Sequence, residues 1–502
     1  MACTVAGNER EIFRFFKKAG CCLRCCLRFI GSRNAEFYED PVSYLQKLKY
    51  LDEAEVVDNI PCIVCLGILQ NNLLEVAIQK ASEEIIAGNY DCDTFTLALT
   101  IPVTTILRER SLQIYLGQSL TLPPDVFLDL KLHTQSVKEV WKIFSVPKIE
   151  ELTKKIGESG RTFSPFLVDV LFSHSCDEEE CVSLLQKCNT ARQFKARRRN
   201  ADVNYSRKNV ESTLETLSDE QFEKHSPIPP KSVESFASVD KVICAHSSIY
   251  IGGRYKKMSR NLCQTPWLIN GEKKCETSVQ ELLCDSIVKY VKADSMKFLS
   301  SGREDVDVRT LNEGRPFAVE LVNPRVTKIP DDLRELVLEI NESTEDVKVT
   351  NSLKVLSKLD LKKLKEGENE KTKNYRALCI YKPKPDTLNL IQGLNDMTKL
   401  KIVQKTPMRV LHRRPLVPRV RIVHSMRARL PTPEELKNFS GAINNLGINN
   451  IFILDVKTQA GTYVKEFVHG DFGRTVPSLC DLLQTDVDII ALDVTGINLN
   501  WP

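Results

Sequence analysis

Residues 226–230 read Ser-Pro-Ile-Pro-Pro, a stretch that neither a helix nor a central strand carries through, and they fall near the middle of 502 residues. One core rarely organises a chain of that length, so the prolines read as punctuation between separately folded parts. The expected division is an accessory region at 1–200, a helix and linker at 201–236 and a second domain at 237–502. Residues 95–103 alternate like a strand and 163–172 form a second apolar run ending at His174, with helical patterns between them. His174 reads as a strand-end polar residue. The class expected is α/β (α+β), with a small α/β accessory domain ahead of a mixed-sheet domain.

Two Cys-x-x-Cys knuckles stand in the accessory region, Cys22-Leu-Arg-Cys25 and Cys62-Ile-Val-Cys65, separated by 36 residues. Each pre-assembles two thiolates, and the pair supplies the four soft ligands that tetrahedral Zn2+ takes. Buried, metal-free cysteines are the alternative, and Cys21 and Cys26 add neighbours that blur the pattern. A redox motif fits less well, because it needs one such knuckle opening a helix after a strand. Of the 17 cysteines, most are expected as reduced thiols in an intracellular protein. Glu9, Arg10 and Glu11 interrupt the apparent start, so a signal peptide is not expected, and the longest uncharged runs are too short or too threonine-rich to span a membrane.

Charge is informative only by position. Seventy basic against 66 acidic residues leave a net +4, yet residues 397–433 carry ten Lys or Arg and no acid. Such a segment points to an external polyanion, and Pro407, Pro415 and Pro418 favour loops joining short strands over one long basic helix. A smaller cluster, Arg192, Lys195 and Arg197 to Arg199, fits phosphate contact or a solvated helix equally. Residues 242–252 look like a strand, followed by a basic loop, Gly253-Arg-Tyr-Lys-Lys-Met-Ser-Arg-Asn261, with Trp267 close behind. Basic groups interleaved with aromatic faces suit single-stranded or looped RNA, and a solvated loop has the same composition. Residues 331–373 are helical in pattern and heavily charged, either an arm or a solvated helix pair.

The segment Ser300-Ser-Gly-Arg-Glu-Asp-Val-Asp-Val-Arg309 presents carboxylates from a Gly-Arg-x-Asp turn ahead of an apolar run that reads as a buried strand at 317–322. If 303–309 are extended, Arg303, Asp305, Asp307 and Arg309 share one face. Spacing alone favours a solvated hairpin edge whose acids pair with its own arginines.

The same segment resembles the active-site signature of the pseudouridine synthases, in which the Asp of Gly-Arg-x-Asp is the catalytic carboxylate. The resemblance extends through Gln264-Thr-Pro-Trp267, Gly314-Arg-Pro-Phe317, Gln404-Lys-Thr-Pro407, Arg409-Val410, His412-Arg-Arg-Pro415 and Gly461-Thr-Tyr-Val-Lys-Glu-Phe-Val-His-Gly-Asp-Phe-Gly-Arg-Thr475. Together these identify the tenth tRNA pseudouridine synthase family of archaea and eukaryotes. The resemblance implies isomerisation of uridine to pseudouridine in the T arm of tRNA, at uridines 54 and 55 in tRNA numbering, with no organic cofactor. It gives Asp305 the catalytic role, by attack on the sugar or proton abstraction from it, with Lys465 as its basic partner. Tyr375 would stack on the base and Leu492 would pack beneath it. It implies RNA contacts at Arg254, Arg303, Arg409, His412, Arg413 and Arg414, and structural Zn2+ on Cys22, Cys25, Cys62 and Cys65 beside a THUMP-type RNA-binding module. Other structured RNAs are further candidate partners, a monomer is the default, and nucleus and cytoplasm are the expected compartments. Cys263 stands where close relatives have proline, and residues 430–450 read as an insertion. Two rival classes are a non-catalytic RNA-binding adaptor and a zinc-dependent deaminase, the latter lacking its His-x-Glu motif.

Overall fold

The computed structural model describes residues 8–51, 59–158, 163–188, 206–350, 352–370, 372–439 and 450–502. The basic cluster at 192–199 and residues 440–449 of the 430–450 insertion lie outside them. Two compact units divide the chain, Met1–Ser247 and Ser248–Pro502. Among the described residues no helix is long and apolar enough to cross a membrane.

The first unit is built on a four-stranded sheet in the order β2-β1-β3-β4, with β1 at Thr94–Thr100, β2 at Ile156–Gly157, β3 at Phe166–Ser173 and β4 at Ser238–His246. Strand β1 runs parallel to β2 and β3, and β4 returns antiparallel to β3. Alternation in β1 and β3 sends Phe95, Leu97, Leu99, Phe166, Val168 and Val170 into a core shared with the helices Asn71–Gly88 and Val137–Thr153. Expected in the second domain, residues 238–246 belong instead to this sheet, where Val239 and Val242 pack against the first core. The 201–236 region holds two short helices, Arg207–Thr216 and Asp219–Glu223, whose Val210, Leu214 and Phe222 are buried against Leu107 and Cys181 neighbours. His174 stands just past β3, Nε2 3.0 Å from the Ser235 carbonyl.

The second unit carries an 11-stranded mixed sheet. Its main path is β10 (Val347–Val349), β5 (Ile249–Lys257), β9 (Arg309–Val322), β17 (Val487–Ile497), β12 (Thr372–Tyr381), β15 (Ile451–Gln459), β14 (Arg419–Arg429), β13 (Thr398–Gln404) and β16 (Thr475–Val476). Strand β11 (Lys354–Val355) joins β5, β8 (Ser295–Ser300) joins β9, and β6 with β7 (Leu268–Ile269, Glu272–Lys273) forms a separate hairpin. The β9–β17 pair is parallel, and its other pairings are antiparallel.

The expected basic loop after residue 252 is the second half of β5, and it is largely buried. Gly252 makes room for it: a Cβ there would lie 2.4 Å from the Phe317 carbonyl oxygen of β9. The charges of Arg254 and Lys257 are absorbed by backbone carbonyls rather than by solvent. Residues 331–373, expected as an arm or a helix pair, give the two helices Arg334–Ser343 and Lys358–Glu370 with β10 and β11 between them. Residues 397–433 fold as β13 and β14 joined through a short 3-10 turn, Met408–Val410.

Candidate active site

The turn between β8 and β9 is held from below. Gly302 has φ +87°, and a Cβ on it would lie 2.6 Å from Lys373 Nζ and 3.1 Å from Arg315 Nη1. Glu304, two residues on, points inward: Tyr255 Oη donates to it at 2.7 Å, Gln264 Nε2 donates at 3.2 Å, and Arg315 Nε lies 2.5 Å away. Gln264 also donates to the Gly302 carbonyl at 3.1 Å and Arg315 to that of Ser301 at 2.8 Å. A buried carboxylate needs such partners to stay charged, and their grip on Glu304 turns the next side chain outward. Asp305 is 41% exposed. Beneath it Lys257 Nζ donates to the carbonyls of Asp305 at 3.0 Å and Val306 at 2.7 Å. Burial pushes the Lys257 ammonium down to about 8, against the pull of Glu304, Asp307 and Asp305.

The segment does not run extended through to residue 309, because residues 305–308 form a turn. Val308 N–H closes a turn on the Asp305 carbonyl at 3.2 Å, and the strand starts at Arg309. The acids therefore do not pair with their own arginines. Asp305 Oδ2 lies 2.9 Å from Arg409 Nη1 and 3.5 Å from Lys465 Nζ. Lys465 itself donates to both oxygens of Asp307, at 2.8 and 2.7 Å. Burial raises the Asp307 carboxyl, but its bond to Lys465 outweighs that and leaves it below the usual range. Arg409 Nε donates to Glu466 Oε1 at 2.6 Å, and Glu466 is buried. The site sets Arg409 and Lys465 against Asp305, Asp307 and Glu466.

Two stretches far apart in sequence deliver these cations. Buried Gln404, at the end of β13, accepts from Tyr463 N–H and donates to the Tyr463 carbonyl, both at 2.9 Å. That clamp fixes the start of the helix Val464–His469, which carries Lys465 and Glu466. Arg474 Nε and Nη2 donate to the Thr406 carbonyl at 3.0 and 2.6 Å, and Met408 N–H donates to Asp471 at 3.2 Å. Arg409 is thus held from both sides.

Tyr375 and Leu492 lie on neighbouring strands, Tyr375 opposite Val494 and Leu492 opposite Ala377 in the β12–β17 register. Leu492 is buried, and Tyr375 is half-buried against the same core. Burial raises the Tyr375 phenol, with Arg315 pulling the other way. Arg260 Nη1 ties the two parts together, donating to the carbonyls of Asp307 and Leu492 at 3.0 Å each. Buried Asp493 holds Arg260 at 2.6 Å and Arg309 through two bonds of 2.9 and 2.7 Å.

In the first unit, the sulfurs of Cys22, Cys25, Cys62 and Cys65 lie within 4.8 Å of one another. Cys22 and Cys65 Sγ are 3.8 Å apart, about the edge of a tetrahedron of sulfurs at 2.3 Å from one ion. Leu66 at φ +56° and Gly67 at φ +91° turn the chain immediately after the second knuckle. This four-thiol cluster fits a metal ion; Cys26 Sγ faces the Cys21 carbonyl instead.

A family profile described as "Pus10, C-terminal" matches residues 250–498, and one described as "Eukaryotic Pus10, N-terminal" matches 62–244. The mouse protein named tRNA pseudouridine synthase Pus10 is 39% identical, with 99% of this chain and 98% of that protein covered. The chain belongs to the Pus10 family. The Xenopus laevis Pus10 is 36% identical with 98% of each chain covered, and that of Archaeoglobus fulgidus is 37% identical over 50% of this chain and 67% of its own.

Within this Pus10-family chain the six basic residues expected at RNA have different surroundings. His412, Arg413 and Arg414 are exposed in the turn after Met408–Val410, and Arg303 is exposed beside Glu304. Arg409 turns to Asp305 and Glu466. Arg254 is a correction: it is buried, and its guanidinium donates to the carbonyls of Glu313, Gly314, Ile497, Leu499 and Trp501 at 2.9–3.2 Å. No donor is left for a phosphate, and its work is to pin the C-terminal residues beside β5. The sequence reading missed Glu304, Gln404, Glu466 and Asp493. One signal was available for Asp493, an acid in the apolar run Ile-Ile-Ala-Leu-Asp-Val, where a buried charge implies a cationic partner.

Proposed function

We propose that this chain isomerises uridine to pseudouridine within RNA, with the tRNA T arm as target and Asp305 as the reacting carboxylate. The supporting observation is the half-exposed Asp305 carboxylate, 2.9 Å from Arg409 and 3.5 Å from Lys465, in a member of the Pus10 family. In the reaction the N1–C1′ bond breaks, the uracil turns and a C5–C1′ bond forms; C5 loses a proton and N1 gains one. Atoms and electrons balance without an oxidant. Attack at the sugar and proton abstraction from it both require a carboxylate held in place, which the ion pairs with Arg409 and Lys465 provide. Tyr375 and Leu492 supply a stacking face and a floor for the base once it has left its helix. Incubation of the full chain with an unmodified tRNA transcript is expected to yield pseudouridine in the T arm. A transcript left unchanged would overturn the reading and favour an adaptor.

The four-thiol cluster is read as a structural Zn2+ site, because all-thiolate sets with no open position suit that ion. Bound there, the ion would cross-link the helix Leu23–Phe29 to the 62–65 turn. One zinc equivalent is expected in the wild type and its loss in Cys62→Ser with Cys65→Ser; a full equivalent retained would contradict it. A THUMP-type role for the first unit, holding a second part of the tRNA, belongs to the same reading.

A further inference from the structure

The loop Gly470-Asp471-Phe472-Gly473 keeps four successive residues at positive φ, +77°, +46°, +55° and +76°. Glycine adopts that region freely, but a bulky aromatic there is strained. Phe472 is also 92% exposed, the most exposed of the large apolar residues described. Strain and exposure in one residue are two costs that folding alone would remove, by a glycine or a polar residue.

The loop is not slack. Buried Asp471 accepts Met408 N–H at 3.2 Å, Thr475 N–H donates to the Gly470 carbonyl at 3.1 Å, and Lys405 N–H donates to the Arg474 carbonyl at 2.8 Å. The ring is therefore presented from an anchored frame, on the same strand-and-loop unit that sets Arg409 against Asp305. Just beyond, Val403 pairs with Val420 on one side and Val476 on the other, and the three valines are 45–59% exposed. Exposed Lys401 and Lys405 flank Val403 along the chain. An exposed apolar row between the exposed cations Lys401 and Lys405 is complementary to nucleic acid, whose bases are apolar-faced and whose backbone is anionic.

We propose that Phe472 and the Val420–Val403–Val476 row form a second RNA contact, at which an unpaired base of the substrate stacks on the Phe472 ring while Lys401 and Lys405 meet its backbone. The inference rests on the reading of the chain as an RNA-modifying enzyme and assigns that enzyme a base-stacking residue outside the reacting pocket. A stacked base contributes enough that its loss weakens binding about tenfold.

The test uses the full chain, an unmodified tRNA transcript, and the variants Phe472→Ala, Phe472→Gly and Phe472→Trp. Ala and Gly are expected to weaken transcript binding about tenfold, with Trp restoring most of it. The thermal midpoint should stay level in Ala and rise in Gly, because the ring supports no packing and glycine relieves the strained φ. A photoreactive phenylalanine analogue at position 472 should cross-link to the RNA. Wild-type affinity in Phe472→Ala, a midpoint that falls together with affinity, or cross-links confined to protein would each overturn the proposal. A wild-type chain that binds the transcript without forming pseudouridine defeats the isomerase reading alone, since the stacking contact is judged by affinity. A wild type that does not bind defeats both.

Discussion

Arg409 divides one guanidinium between a buried carboxylate and a half-exposed one. Glu466 holds Nε at 2.6 Å, which leaves Nη1 aimed at Asp305 from 2.9 Å. Burial works against the Arg409 charge, and Glu466 and Asp305 more than restore it. If Asp305 reacts as proposed, a fixed cation beside it is an electrostatic device, and removing one such group costs about 10²-fold in turnover. Arg409→Met is therefore expected to lower kcat by about that factor while changing tRNA affinity far less; lost affinity with unchanged kcat would make it a phosphate ligand instead. Lys257 gives a pH signature. Its folded value of about 8 lies below the unfolded value near 10.4, so between them the unfolded chain binds the extra proton and the stability of the wild type gains with rising pH. In denaturant melts between those limits, the wild type should show a more positive slope of stability against pH than Lys257→Met. Equal slopes would contradict the assignment. At this scale motif order could suggest that Asp305 and Lys465 meet, but nothing local to Glu304, Glu466 or Asp493 reveals which cation each acid holds, because those partners come from other strands.

Strand β5 shows why elements are harder to read than residues. Its second half, Gly-Arg-Tyr-Lys-Lys, has the composition of a solvated loop, yet its cations find carbonyl partners at the C-terminal residues and in the Asp305 turn. Only the tertiary fold provides those acceptors. The alternating runs of β1 and β3 and the apolar part of β9 were legible because period-two burial leaves its mark in sequence. The extended reading of 303–309 failed because the turn is set by the inward grip on Glu304, which local alternation does not encode. Gly302 is the element-scale weak point. Gly302→Ala should cost about 1–2 kcal/mol from the left-handed φ, measured by urea denaturation, and should lower activity further by moving Asp305 away from Arg409. A variant as stable and active as the wild type would show that the turn relaxes without consequence.

Across the whole chain, totals say little and placement says much. Seventy basic and 66 acidic residues nearly cancel, but folding sorts the cations into separate tasks. Arg254 holds Ile497, Leu499 and Trp501, Arg260 and Arg309 share Asp493, Arg409 faces Asp305, and His412 to Arg414 remain exposed. Seventeen cysteines behave likewise, four converging on one cluster. We propose that a single carboxylate on the β8–β9 turn performs the chemistry while other surfaces hold the RNA. Pseudouridine formation and tRNA binding, measured side by side for Asp305→Ala and the wild type, test it most directly. Asp305→Ala is expected to form no pseudouridine while keeping transcript affinity largely intact; pseudouridine formed by that variant at the wild-type rate would remove Asp305 from the chemistry.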